Sequence, residues 1–247
     1  MSKLPNGIRV RWLGHATFDI TGPDGRKYLI DPYIKGNPKF PRELTHEVFA
    51  KGAYAYLLIT HPHTDHFEDA LPLLKNDPNL KSISQFEIGR WLTSQGVKDD
   101  QVTGMNTGGT LKLPGLRVTM VNAVHTSSIT ENGIQRALGF PIGYVLRFDA
   151  GFSLYVAGDT AVTMDMQIVH DLYHPDLVIL PIGDFYTMGA EQAAYALKLL
   201  QPKFAIGCHW GTYNGMPPGT PDELEKELAR YQLSTQVIKL QPGESLT

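Results

Sequence analysis

Residues 57–70 read LLITHPHTDHFEDA and place His61, His63, Asp65 and His66 within six positions. Three of the chain's nine histidines sit there. Imidazole and carboxylate are ligands for Zn²⁺ and similar ions, and an ion needs several of them converging on one point. In extended chain, side chains two apart share a side, so His61 and His63 can chelate one ion. Asp65 and His66, past a bend into a helix, can face a neighbouring point. The competing reading makes Asp65 a helix N-cap, with Glu68 three positions on completing a capping box, and leaves the histidines as solvated loop residues. Four residues cannot complete two coordination shells, so a metal centre requires ligands at further strand ends. Such residues exist: His125 follows an apolar run at 118–124, Asp159 follows LYVAG, and His209 follows FAIGC.

The elements that must carry these residues follow from apolar runs and turn chemistry. Residues 8–13 and 16–21 alternate as strands, and Gly22-Pro23-Asp24-Gly25 marks a turn before a strand at 27–30. Two strands of similar length separate Gly14-His15 from Asp31-Pro32, which puts both at one end of a sheet. An apolar strand at 54–60 runs into the histidine cluster. Helices are expected at 68–75, with Pro72 tolerable only near the first turn, and at 87–94. Strand material at 110–124 is broken at Pro114-Gly115, and strands at 143–148 and 153–156 bracket the hairpin signal Asp149-Ala150-Gly151. Strand and helix then alternate: helix 164–173, strand 177–182, helix 189–200, strand 204–208, helix 221–231 and strand 237–240. No linker, composition shift or short-period repeat divides the chain, so residues 1–247 read as a single domain of layered α/β sheets.

The series HPHTDH, His125, GDT at 158–160 and CHWGT at 208–212 resembles the metallo-β-lactamase fold. The phrases WLGHATFDI, LIDPYIKGNP, GMNTGG and PIGDFYTMGAEQAA narrow the resemblance to metal-dependent hydrolases grouped with ascorbate-6-phosphate lactonase. N-acyl-phosphatidylethanolamine phospholipase D is a more distant likeness. The resemblance implies a four-layered αββα sandwich of two mixed β-sheets flanked by helices, with a dinuclear site on one edge. Carried onto matching positions, it implies that His61, His63 and His125 hold one ion. Asp65, His66 and His209 would hold the second, and Asp159 would bridge both. Asp65, Asp159 and His209 form the implied catalytic set. The implied cofactors are two divalent ions, Zn or Mn with Fe as a further candidate, sharing a water whose pKa falls to about 7. Hydroxide would then attack a carbonyl carbon or phosphorus, and no Ser, Cys or Thr nucleophile is required.

Other residues near these positions carry weaker signals. His15 and Asp31 are placed to orient metal ligands if His61 shares their end of the sheet; alternatively Asp31 caps a turn and His15 is structural. Ser127, within Thr126-Ser127-Ser128, can offer a hydroxyl to a phosphate or carboxylate, or serve ordinary turn chemistry. Asp184 opens a loop, 184–188, that looks like part of the site. The resembled subgroup more often carries an amide at that position, which leaves the role of Asp184 open. His170, His174 and His46 read as surface or helix-end residues. Cys208 precedes His209 in a strand and should face the other way, as a core residue.

The composition is that of an ordinary globular protein, with 42% apolar and 19% charged residues. A net charge of −3 gives no footprint for nucleic acid or an anionic membrane. The single cysteine cannot form an internal disulfide and suits a reducing compartment. The opening MSKLPNGIRVRW has no apolar h-region, and no apolar run reaches membrane-spanning length. The expectation is a cytoplasmic enzyme acting on a small-molecule substrate, with no nucleic acid and no membrane insertion, and with homo-oligomer formation left open. The reaction expected is hydrolysis of a small ester, lactone or phosphodiester. Flavodiiron oxidoreductases carry a glutamate where His63 stands, capped nucleases are longer, and an antibiotic-inactivating lactamase would carry an export signal. The alternative is a non-catalytic metal-binding protein that retains the fold, which loss of a ligand would signal; none of the seven is missing.

Overall fold

The computed structural model describes residues 4–213 and 219–247. The chain forms two compact units, one of residues 1–106, 126–140 and 241–247, the other of residues 107–125 and 141–240.

In the first unit β1 (Arg9–Trp12), β2 (Phe18–Thr21) and β3 (Lys27–Ile30) make the expected antiparallel meander. Parallel to β3 follow β4 (Tyr56–Leu58), β5 (Lys81–Gln85) and β6 (Val102–Met105). The chain's closing strand, β16 (Ser245–Leu246), pairs with β1 at the opposite edge and completes seven strands. Four helices belong to this unit: α1 (Thr45–Phe49), α2 (Thr64–Phe67), α3 (Ala70–Asn76) and α4 (Phe86–Ser94). Their apolar positions, Val48, Phe67, Leu73, Leu74, Ile88 and Leu92, form one buried cluster with Leu29 and Leu57 of the sheet. Each such side chain contributes about 1.5–3 kcal/mol on leaving water, so the helices are held by packing rather than by their short length. A separate ribbon, β9 (Ser128–Glu131) and β10 (Ile134–Ala137), turns at Asn132-Gly133, both at positive φ.

In the second unit β7 (Thr110–Leu113), β8 (Leu116–Asn122), β11 (Ile142–Phe148) and β12 (Ser153–Val156) pair antiparallel. Beyond β12 come β13 (Leu177–Pro181), β14 (Phe204–Cys208) and β15 (Gln236–Val237), all parallel. The connections carry α5 (Asp165–Tyr173), α6 (Ala190–Leu200) and α7 (Pro221–Leu228). Every residue of β12, β13 and β14 is buried, which is why these strands read as unbroken apolar runs rather than alternating ones. Ala193, Ala194, Ala196, Leu197 and Leu200 of α6 pack in the core of this unit with Val178, Leu180 and Ala205. Thr220 and Glu223 close a capping box at the start of α7, with Pro221 in the first turn.

Several expected boundaries move. The helix expected at 68–75 is α3, starting two residues later at Ala70, because Asp69 leaves helical geometry and accepts the Ile34 and Lys35 amides at 2.8 and 2.9 Å; a separate short helix, α2, precedes it. The helix at 221–231 ends at Leu228 and tightens into a 3₁₀ turn, and the last expected strand, 237–240, survives only as β15. The structure adds α1, β5, β6, β16 and the β9–β10 ribbon. Among the described residues no helix is long and apolar enough to cross a membrane.

Candidate functional site

In the first unit the histidine cluster begins just past β4. Asp31, directly after β3, continues the β3–β4 ladder by donating its amide to the Leu58 carbonyl at 3.0 Å. This fixes the Asp31 side chain beside Thr60. Its Oδ1 accepts the Thr60 amide at 2.8 Å, and its Oδ2 accepts the Thr60 hydroxyl at 2.7 Å and lies 2.8 Å from His66 Nδ1. Asp31 is fully enclosed, and burial pushes its carboxyl up, opposed by the hydrogen bonds from His66 and Thr60. With the Nδ1 proton directed at Asp31, His66 carries its lone pair on Nε2, the arrangement a metal-binding imidazole requires. Asp31 sits at a φ of +44°, a left-handed conformation that aspartate tolerates better than most residues.

His61 is buried, with Nδ1 3.1 Å from the Thr60 hydroxyl and Nε2 2.9 Å from His63 Nδ1. Two imidazole nitrogens that close either share a proton or face a common ligand. The rings of His61 and His63, two apart in sequence, converge with centroids 4.5 Å apart. Asp65 does not cap the helix: α2 starts at Thr64 with His63 in the cap position, and Asp65 lies in the first turn. Its Oδ2 is 3.0 Å from His15 Nε2. His15, Asp65 and His66 each offer a ligand atom, mutually within 4.8 Å. His15 reaches this place through a tight turn after β1. Gly14 has a φ of +95°, and a Cβ there would press on the Lys39 backbone at 3.0 Å. The Trp12 indole donates to the His15 carbonyl at 2.9 Å, and the Thr17 hydroxyl donates to the Asp31 carbonyl at 2.7 Å. Thus His15 and Asp31 do lie at one end of the sheet, as the strand count required, and both touch residues of the cluster.

Thr126 Oγ1 is 3.4 Å from His63 Nε2. Its neighbour Ser127 donates its hydroxyl to the Leu138 carbonyl at 2.5 Å, closing the base of the β9–β10 ribbon.

In the second unit three ligand candidates meet at one carboxylate. Asp159, reached from β12 through Gly158 at a φ of +65°, is buried. Its Oδ2 lies 3.1 Å from His209 Nε2 and 3.7 Å from His125 Nε2. Thr160 ties two of the loops together: its hydroxyl accepts the Val124 amide at 3.0 Å and donates to the Ala161 carbonyl at 2.7 Å. His209 follows β14 at a φ of +57°, so a sharp reversal rather than strand alternation aims its ring. Cys208 is buried, as expected. The reversal needs room: a Cβ on Gly183 would fall 1.8 Å from the His209 carbonyl oxygen. Asp184, next in the chain, has a φ of +60° and accepts the Phe185 amide at Oδ1 at 2.7 Å. His170 Nδ1 is 2.9 Å from the Leu200 carbonyl, and His46 lies exposed on α1.

Thr60 and Thr160 are the residues that motif reading passed over. Each adjoins a ligand candidate in sequence, and adjacency to His61 and Asp159 was the available signal.

Comparison with known proteins yields one consistent group. A family model described as Beta-lactamase superfamily domain matches residues 26–210. The chain is 47% identical over 247 residues to a UPF0173 metal-dependent hydrolase of Roseiflexus sp. (strain RS-1), covering 100% of both. A UPF0173 metal-dependent hydrolase of Chloroflexus aurantiacus is 43% identical, again over 100% of both. The structure of Igni18, a metallo hydrolase from Ignicoccus hospitalis KIN4/I, aligns with a TM-score of 0.81 at 31% identity, covering 97% of each chain.

Proposed function

Since the chain belongs to the β-lactamase superfamily, among the UPF0173 metal-dependent hydrolases, we propose that it hydrolyses small esters, lactones or phosphodiesters at a dinuclear centre. Its mixed, helix-flanked sheets are those of the metallo-β-lactamase fold, and the enzyme is a metal-dependent hydrolase. We assign His61, His63 and His125 to one ion, Asp65, His66 and His209 to the second, and Asp159 to both. Zn and Mn suit an imidazole and carboxylate set, with Fe a third candidate. We place the enzyme in the cytoplasm, where its one buried thiol would stay reduced.

The donor chemistry fits such ions. His66 is held by Asp31 in the tautomer that presents Nε2, and one Asp159 oxygen is shared between two imidazoles. Bound divalent ions would supply Lewis acidity that makes water nucleophilic near neutral pH and polarises the scissile group. The chain's own residues set the rest. Asp159 brings a buried negative charge to the reacting centre. His15 fixes the Asp65 carboxylate, which we assign to take up and return the proton of the attacking water. Thr60 touches His61 directly and His66 through Asp31, which we propose holds the two histidines in register.

The observation that carries this reading is the Asp159 carboxylate shared by His125 and His209. The test is metal analysis of purified protein with a panel of lactones, phosphodiesters and thioesters, alongside Asp159→Ala. The variant is expected to lose at least about 100-fold in turnover while keeping its fold, since it removes a group acting on the reaction rather than the core. Hydrolysis of bis(p-nitrophenyl) phosphate by the variant at the parent rate would refute the assignment. So would a protein that stays metal-free and inactive after incubation with Zn²⁺ or Mn²⁺.

A further inference from the structure

The loop after β13 carries a feature that the hydrolytic chemistry does not use. Phe185 and Tyr186 stand side by side with ring centroids 4.8 Å apart and planes at 89°, an edge-to-face pair. They are 69% and 59% exposed, although the residues anchoring the loop, Ile182 and Met188, are completely buried. The backbone is locked beneath them: the Asp184 amide donates to the Met188 carbonyl at 3.0 Å, and the Tyr186 amide to the Asp184 carbonyl at 2.6 Å. Asp184 and Phe185 both hold positive φ, +60° and +59°. For a bulky side chain such as phenylalanine this conformation is unfavourable, and such strain persists where the surroundings enforce it. These two largely exposed rings, on a strained and anchored loop, lie outside the buried core of their unit.

Their position gives them a use. β13 lies between β12 and β14 and runs parallel to both, so the three loops leave the same edge of the sheet. Asp159 follows β12 and His209 follows β14, which puts the Phe185 loop between the two. Gly183, two residues before Phe185, abuts His209 so closely that a Cβ would lie 3.5 Å from its Nδ1 as well as on its carbonyl.

We infer that Phe185 and Tyr186 are the substrate-recognition platform of this enzyme and that its substrates carry an aryl or comparably flat apolar group on the ester, lactone or phosphodiester. The inference rests on the hydrolase reading above. The perpendicular pair offers one ring face and one ring edge to a flat group entering beside Asp159 and His209, the arrangement in which aromatic contacts add most beyond simple area burial. Small alkyl substituents would pass the platform without contact.

The test uses binding, so that it does not depend on turnover. Phenylphosphonate and methylphosphonate are titrated calorimetrically into the full-length, Zn²⁺-loaded protein, its Phe185→Asn variant and its Tyr186→Ala variant. The parent is expected to bind the phenyl compound about ten-fold more tightly, and each variant to lose most of that preference. Asparagine tolerates the positive φ, so Phe185→Asn should melt no lower than the parent, an outcome that a structural role for the ring would not produce. Equal affinities in the parent, absence of phenylphosphonate binding, or a preference that survives both variants would overturn the inference. A drop in oligomer size on gel filtration of the variants would also overturn it, by showing that the rings cover another copy of the chain. If every ester, lactone and phosphodiester in the panel is left uncleaved while the phenyl preference holds and depends on the two rings, the proposed bond class fails and the aryl-binding platform stands.

Discussion

Asp31 is not a metal ligand in any assignment made above, yet it offers the sharpest test of how the site is held. Replacing it with alanine removes three interactions at once: those from the Thr60 amide, the Thr60 hydroxyl and His66 Nδ1. The hydroxyl can rotate to another acceptor, but the Thr60 amide is buried, and losing its partner costs about 1–3 kcal/mol. The bond to His66 involves a charged acceptor, and its loss adds about 1.5–3 kcal/mol. Asp31→Ala should therefore destabilise by about 2.5–6 kcal/mol, which for a chain of this size lowers Tm by roughly 5–24 °C. Asp31→Asn separates support of the fold from orientation of the ligand. Asparagine keeps the volume, accepts a left-handed φ and retains an oxygen for the Thr60 amide. Its NH₂ group then faces His66 Nδ1, which must accept, and the imidazole proton moves to Nε2. Melting of the chelator-stripped variant should stay nearer the parent than the alanine variant does. Metal affinity, measured by competition with a chromophoric chelator, should fall about 10–100-fold. Loading of Asp31→Asn with both ions at parental affinity would refute the claim that Asp31 sets the His66 tautomer.

Two further outcomes follow from the packing and the charges. Gly183→Ala would push a methyl group into the His209 carbonyl, so it should destabilise by about 3 kcal/mol or more and weaken metal binding through His209; an unchanged Tm would show that the β13 and β14 loops do not abut. Glu47 accepts hydrogen bonds from Arg11 at 2.6 Å and Lys27 at 3.2 Å, chiefly the Arg11 contact holding its carboxyl below the ordinary glutamate value of 4.5. A depressed carboxylate stabilises the fold above the unfolded value and loses that contribution as pH falls through the folded one. Glu47→Gln should therefore flatten the acid limb of a stability-against-pH curve below about pH 4.5, and an unaltered limb would assign acid sensitivity elsewhere. The effect is small, because the group is partly exposed and screened.

The elements that could be read in advance share one property, apolar runs bounded by turn residues. β12, β13 and β14 announced themselves because parallel strands buried on both faces leave no room for polar positions. β5 did not, because Ser82, Ser84 and Gln85 are buried in a strand that reads KSISQ, and no hydrophobic period marks it. β6 is four residues with a glycine, and β16 is two residues that exist as a strand only through β1. The β9–β10 ribbon was legible and passed over: Asn132-Gly133 is the strongest short-range signal for a hairpin, set between residues that pair in register.

The chain by itself determined the chemistry on offer. Ligand types and short spacings, the i, i+2 pair His61 and His63 above all, are properties of the covalent chain, and strand counting placed His15 and Asp31 at one end of their sheet. Tertiary structure alone decided how those groups are aimed. Asp31 reaches Thr60 and His66 only because β3 and β4 lie side by side. Asp159 meets His125 and His209 only because loops far apart in sequence leave one edge of a single sheet, where β12 is separated from β8 by β11 and from β14 by β13. Left-handed backbone at His15, Asp31, Asp184, Phe185 and His209 is enforced by packing that no local preference predicts. The physical reason is that local sequence sets which bonds a residue can make, whereas the direction in which it makes them depends on non-local contacts that outweigh its own conformational preference.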